Sequence, residues 1–213
     1  MLAAVVDIDD TLVDTSRRRW AAWCHVLGRE LPLEVVEKHE SRDILRIYAS
    51  SDGEVWERFC RLLLCWEDEG ITLLNQDTPF SDAANVVRRW SKELRVVYFT
   101  GRSVSMHDLT LEELGKFGFP VEEVDLVMMS LKDWNLLLKS KASLIQLRSK
   151  LFSSVHARCQ IVRVVDDVPS FFSIYKEFEV PERIAIQRSK IYSCPEYFSQ
   201  GATKVVNEWK QLF

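Results

Sequence analysis

Three stretches of this chain place polar residues directly after a short apolar run. Val5-Val6 leads into Asp7-Ile8-Asp9, Val96-Val97-Tyr98-Phe99 leads into Thr100-Gly101-Arg102, and Val164-Val165 leads into Asp166-Asp167. Short, near-continuous apolar runs read as strands buried on both faces, the pattern of a parallel sheet. In an open parallel sheet, ligands bind outside the carboxyl ends of the strands. Asp7, Asp9, Thr100, Gly101, Arg102, Asp166 and Asp167 are therefore expected around one crevice. While the backbone stays extended, residues i and i+2 point the same way, so Asp7 and Asp9 can face one site while Ile8 faces the core. Carboxylates that converge repel one another, and burial raises the cost. A hard divalent cation resolves this, and Mg²⁺ suits a few carboxylates together with waters and a phosphate. Thr100-Gly101-Arg102 adds a hydroxyl and unobstructed backbone N–H groups. With Ser103 opening a helix, the first amides and the helix dipole would favour an anion. The chemistry expected of such a crevice is that of phosphate esters.

These motifs carry a family resemblance. Val5-Val6-Asp7-Ile8-Asp9-Asp10-Thr11-Leu12 resembles the D-x-D-x-T nucleophile motif of the haloacid dehalogenase superfamily. The strand ending in Thr100 resembles its second motif, and Val164-Val165-Asp166-Asp167 resembles its last motif in the paired-acid form. The order matches across essentially the whole chain. The resemblance implies that Asp7 attacks phosphorus and forms an aspartyl-phosphate, while Asp9 acts as general acid and then general base. Dehalogenase members lack that second acid, because a halide leaves without a proton, so Asp9 points to phosphoryl chemistry. Mg²⁺ would be held by Asp7, the backbone carbonyl of Asp9, and Asp166 or Asp167. Thr100 and Gly101 would bind the phosphoryl oxygens, and Arg102 could steer phosphate or simply start a helix. The family also uses a lysine on the helix before the last motif strand. Lys141 is preferred, because Lys141-Ala142-Ser143-Leu144-Ile145 opens an apolar helical repeat, and Lys139 is the alternative.

The elements that must position these residues can be read from periodicity. Strands are expected at 2–9, 94–100, 125–130 and 160–167, with a shorter one at 183–186. Amphipathic helices are expected at 82–93, 106–117, 141–152, 168–178 and 202–213, with Ser81 as an N-cap. Strands alternating with helices make a doubly wound, Rossmann-like α/β core. Residues 15–79 break the alternation and read as helices only, at 17–27, 33–48 and 54–69. The expected organisation is a core of residues 1–14 and 80–213, with a small helical cap of residues 15–79 inserted after the first strand. In the family such a cap closes over the site and supplies specificity contacts.

Composition narrows the class. The 213 residues carry 28 Lys+Arg and 32 Asp+Glu, a net charge of −4, which is too balanced for the basic footprint of a nucleic-acid binder. Neither a membrane span nor a signal-peptide h-region is evident. Five cysteines without C-x-x-C spacing suggest neither a zinc knuckle nor a disulfide framework, so a reduced, cytoplasmic setting is expected. P-loop, G-x-G-x-x-G and G-x-S-x-G motifs are missing, which removes the usual anchors of kinase, dinucleotide and serine-hydrolase readings. Asp10 and Thr11 read as loop-supporting residues, and Arg17-Arg18-Arg19 reads as a solvated helix face. Trp20, Trp23, Trp56 and Trp66 read as packing within the insert. The function expected is Mg²⁺-dependent hydrolysis of a small phosphorylated metabolite or nucleotide. The alternatives are phosphotransfer or mutase chemistry on the same intermediate, and a non-catalytic binding relative.

Overall fold

Leu2–Val6 is apolar at every position and buried from Ala3 onward, so it can only serve as a central strand. The protein, described from a computed structural model covering residues 1–139, 143–188 and 190–213, builds its sheet around it. In chain order the strands are β1 (Leu2–Val6), β2 (Val13–Asp14), β3 (Thr78–Pro79), β4 (Arg95–Ser103), β5 (Asp125–Met129), β6 (Gln160–Asp166), β7 (Glu182–Ile186) and β8 (Lys204–Val206). Six of them form a parallel sheet in the order β5-β4-β1-β6-β7-β8. The two motif strands β4 and β6 therefore flank β1 directly.

Alternation along β1 sends its side chains to two cores. Ala4 and Val6, with Val96 and Tyr98 of β4, pack under helix α6 (Ala83–Trp90) and Trp209. Ala3 and Val5, with Val97 and Phe99, pack against Phe152 of the helix Leu144–His156 and against Phe172, Tyr175 and Tyr197. This is the doubly wound arrangement, with helices on both faces.

Five helices lie between β2 and β3: α1 (Ser16–Leu27), α2 (Leu33–Lys38), α3 (Ser41–Ala49), α4 (Gly53–Leu63) and α5 (Asp68–Leu74). The chain enters and leaves this region through an antiparallel pair, Val13 opposite Pro79 and Asp14 opposite Thr78. Of the three helices expected in the insert, 17–27 forms as α1, while 33–48 and 54–69 are each broken in two. His39 turns extended (φ −132°) between α2 and α3, and Cys65 adopts φ +51° between α4 and α5. Trp23 stacks on Phe59 with ring centroids 4.0 Å apart, at the centre of the insert. Truncating such a buried ring costs about 3–5 kcal/mol. The same cluster takes in Met106, Met128, Trp134 and Leu138 from the sheet side, so insert and sheet share packing.

After the insert, α6 is followed by α7 (His107–Lys116), α8 (Leu131–Leu138), α9 (Leu144–His156), α10 (Phe172–Glu177) and α11 (Cys194–Gln200). Among the described residues, no helix is long and apolar enough to cross a membrane.

Several expectations are corrected. The helix read at 202–213 is instead β8 followed by a short 3-10 helix at Trp209–Leu212. Gly201, at φ +113°, ends α11, and the β-branched pair Val205-Val206 finds an open sheet edge on β7. Helix α6 starts at Ala83 with Asp82, not Ser81, at its N-cap position. Ser103 ends β4 and caps a 3-10 turn at Val104–Met106, its Oγ accepting from the Ser105 N–H, and that turn, not an α-helix, leads into α7. Helices α8 and α11 and the β2–β3 pair were not foreseen.

Candidate active site

The parallel register brings Asp7 and Asp166 side by side. Val6 pairs with Val165, and the Asp7 N–H donates to the Val165 carbonyl at 2.9 Å, so the next residue on each strand stands at the same height. Asp167 follows as the chain leaves β6. The carboxylates of Asp7, Asp166 and Asp167 are buried, and an oxygen of each lies within 4.8 Å of the others. Thr11 closes the group: its buried hydroxyl lies 3.1 Å from Asp7 Oδ2, its closer acceptor, and 3.4 Å from Asp167 Oδ1. Thr11 was read as loop support only, and it is part of the cluster.

One guanidinium enters this cluster. Arg148 Nη2 donates to Asp7 Oδ1 at 2.9 Å and also to Asp166 Oδ2. Its Nε donates to the Tyr175 hydroxyl at 3.2 Å, and that hydroxyl donates to Asp166 at 2.6 Å. The guanidinium lies over the rings of Phe171 and Phe99, at 4.2 and 4.7 Å from their centroids. Burial, followed by the neighbouring carboxylates, raises Asp7 and Asp167 well above the usual carboxylate range, and Arg148 offsets this only in part at Asp7. Uncompensated negative charge on hard oxygen donors is the condition that a divalent cation meets. The donor set therefore fits Mg²⁺, with Asp7 and Asp167 carrying the least-occupied oxygens.

Asp9 sits apart from that trio. Its carboxylate accepts from Arg18 at 2.7 Å and from Arg102 at 2.8–3.1 Å, with the Thr100 hydroxyl at 3.4 Å. Its side chain is 31% exposed, so it remains reachable from solvent. Burial alone would raise Asp9, but Arg102 and then Arg18 override it and hold the group well below the usual carboxylate range. Arg18 and Arg102 are themselves buried between acids. Arg102 Nη1 lies 2.5 Å from Glu113, and Arg18 Nε lies 3.2 Å from Asp77. The result is three carboxylates, Asp9, Asp77 and Glu113, facing two guanidinia. Burial, against the pull of Arg18, pushes Asp77 up to about 8.

The expected residues divide accordingly. Asp7, Asp166 and Asp167 come together, while Asp9 and Gly101 line one cleft and the buried Thr100 hydroxyl lies 3.4 Å from Asp9. Arg102 neither starts a helix facing outward nor presents a free charge to phosphate: it is buried in β4, with its charge engaged by Asp9 and Glu113. Arg18 is buried rather than on a solvated face, because α1 turns it inward against Asp9 and Asp77. Lys139 is exposed at the end of α8, and Lys141 lies outside the described residues. Among the described residues, the cation beside Asp7 is Arg148, which sequence reasoning missed. A signal for it was present: Arg148 precedes Phe152 by four residues and Val155 by seven, so a charge interrupts the buried stripe of α9. Asp10, at φ +58°, behaves as expected of a loop residue, accepting from the backbone and hydroxyl of Thr15.

No protein-family model matches the sequence, and no curated protein sequence matches it either. Solved structures do. A candidate phosphatase from Clostridium difficile superposes with a TM-score of 0.71 at 13% identity, covering 99% of this chain and 95% of that one. A haloacid dehalogenase-like family hydrolase from Streptococcus pneumoniae gives 0.65 at 12% identity, over 99% and 95%. A hydrolase of the same family from Deinococcus radiodurans, solved with bound phosphate and sodium, gives 0.59 at 13% identity, over 99% and 92%. With the sheet order and helical insert described above, these superpositions show that the chain has the fold of the haloacid dehalogenase-like hydrolases.

Proposed function

We propose that this protein is a Mg²⁺-dependent phosphomonoester hydrolase that acts through an aspartyl-phosphate on Asp7. The observation that carries the reading is the convergence of Asp7, Asp166 and Asp167 at the ends of adjacent strands, with Thr11 and Arg148 in direct contact. An Oδ of Asp7 attacks phosphorus, the bond to the leaving oxygen breaks, and water later releases inorganic phosphate from the acyl phosphate. Mg²⁺, held by Asp7, the Asp9 carbonyl and the Asp166-Asp167 pair, would neutralise charge on the nucleophile and the phosphoryl group. Arg148 holds Asp7 in place and supplies a fixed positive charge. Thr100 and the Gly101 backbone face the phosphoryl oxygens. Asp9, a reachable carboxylate at the mouth, gives a proton to the leaving oxygen and later takes one from water. That role requires its contacts with Arg18 and Arg102 to loosen when the ester enters. Arg18 belongs to the insert, which would act as a lid of residues 15–79 over a core of residues 1–14 and 80–213.

The test is phosphate release from 4-nitrophenyl phosphate and a panel of phosphorylated metabolites. Turnover should need Mg²⁺, stop with EDTA, and fall at least about 10³-fold in Asp7→Asn, which removes the nucleophile while keeping its shape. Full Mg²⁺-dependent activity in Asp7→Asn would overturn the assignment.

A further inference from the structure

Beside Asp9 and Gly101 lies a cleft of about 250 Å³, bordered by the insert on one side and by α8 and the start of α9 on the other. Its walls are Trp56, Phe59, Leu63, Leu64, Trp134 and Leu144. The arginines that border it are each engaged by an acid. Arg18 lies 2.7 Å from Asp9, Arg19 lies 2.9 Å from Asp10, and Arg102 lies 2.5 Å from Glu113. Drawing one of them to a second anionic group on a ligand would strand a buried carboxylate, which is costly. Among the described residues, the cleft therefore offers ring faces and methyl groups more readily than free positive charge.

Two of those rings are held in advance. The Trp134 indole N–H donates to the Gly101 carbonyl at 3.0 Å, and the Arg42 guanidinium lies 3.8 Å from the centroid of Trp56. Rigid aromatic walls bind an apolar group with little ordering cost. Thr15 and Ser41 are the hydroxyl residues that line it, so a polyhydroxylated group placed there would lose water from most of its hydroxyls while gaining few partners. Gly101 and Asp9 line the same cleft, so a group in it lies on the leaving-group side of the proposed phosphoryl position.

We infer that, given the phosphatase reading above, the substrate is the phosphate monoester of a compact, apolar, ring-bearing alcohol, received by the cleft that Trp56 and Trp134 border. Sugar phosphates and nucleotides are disfavoured.

The experiment compares 2-phenylethyl phosphate with glycerol 3-phosphate and glucose 6-phosphate. All are esters of primary alcohols, so leaving-group reactivity is comparable and the difference reads the cleft. The expected kcat/KM is at least about tenfold higher for 2-phenylethyl phosphate. Trp56→Leu and Leu63→Gln should each shrink that ratio by about threefold or more. In the unaltered protein, 2-phenylethylphosphonate should inhibit at concentrations at least about tenfold lower than methylphosphonate. If the polar esters are hydrolysed as well or better, or the two phosphonates inhibit equally, this inference is overturned and the phosphatase reading stands. If no ester in the panel turns over with Mg²⁺, the phosphatase reading falls and takes this inference with it.

Discussion

Arg148 Nη2 is 2.9 Å from Asp7 Oδ1, and the same nitrogen also donates to Asp166. A guanidinium from α9 thus ties together the acids at the ends of β1 and β6. Removing one partner of a buried pair leaves its counter-charge stranded, at a cost of about 3–5 kcal/mol. Arg148→Ala should therefore lower both the urea midpoint and kcat, the latter by about 10²–10³-fold if the charge also serves the transition state. Arg148→Lys, which keeps the charge but loses the fork that reaches Asp7, Asp166 and Tyr175 together, should fall between. Equal activity in Arg148→Ala and the parent would show that this cation does not serve the reaction.

Asp167 differs from Asp166 in what occupies its carboxylate. Asp166 is engaged by Arg148 and Tyr175, whereas the Asp167 side chain has the Thr11 hydroxyl at 3.4 Å. Asp167 is thus the freer ligand. Mg²⁺ at a hundred times its dissociation constant should stabilise the parent by about 2.7 kcal/mol, seen as a rise in Tm. Asp167→Asn should show a much smaller rise at the same Mg²⁺ concentration. An identical rise in the variant would remove Asp167 from the metal site.

Asp77 gives the molecule a pH signature. Its carboxyl is held up to about 8 in the folded protein, against about 3.9 for an unfolded aspartate. Between those values the folded state binds the extra proton, so stability falls as pH rises, by at most about 1.4 kcal/mol per pH unit from this group. The contribution is complete below about pH 4 and is lost as pH climbs through about 8. Asp77→Asn keeps the shape and cannot ionise. Its urea midpoint should gain on the parent steadily from pH 5 to pH 8, and a constant difference over that range would refute the protonated Asp77.

The extent to which the site was legible in the sequence follows from the range of the forces involved. Apolar runs such as Val5-Val6 and Val164-Val165 declare buried parallel strands by local composition. Polar residues straight after such runs must lie at the carboxyl edge of the sheet. Asp7, Asp9, Thr100, Asp166 and Asp167 were therefore legible, as was a helical region between the first two motif strands. Residues 202–213 misled because their apolar spacing reads as an amphipathic helix, and only the open edge of β7 makes 204–206 a strand.

What the sequence determined by itself was the chemistry available at the sheet edge, because a strand's direction and period are local properties. What only the tertiary structure decided was how each charge is compensated. Arg148 lies 141 residues from Asp7 and Arg102 lies 93 from Asp9, and no local pattern pairs them. Burial makes an unpaired charge so costly that Asp7, Asp9 and Asp166 each take a guanidinium that the fold brings within reach. That selection set Arg148 beside Asp7, turned Arg18 and Arg102 onto Asp9, and left the cleft next to Asp9 walled largely by rings.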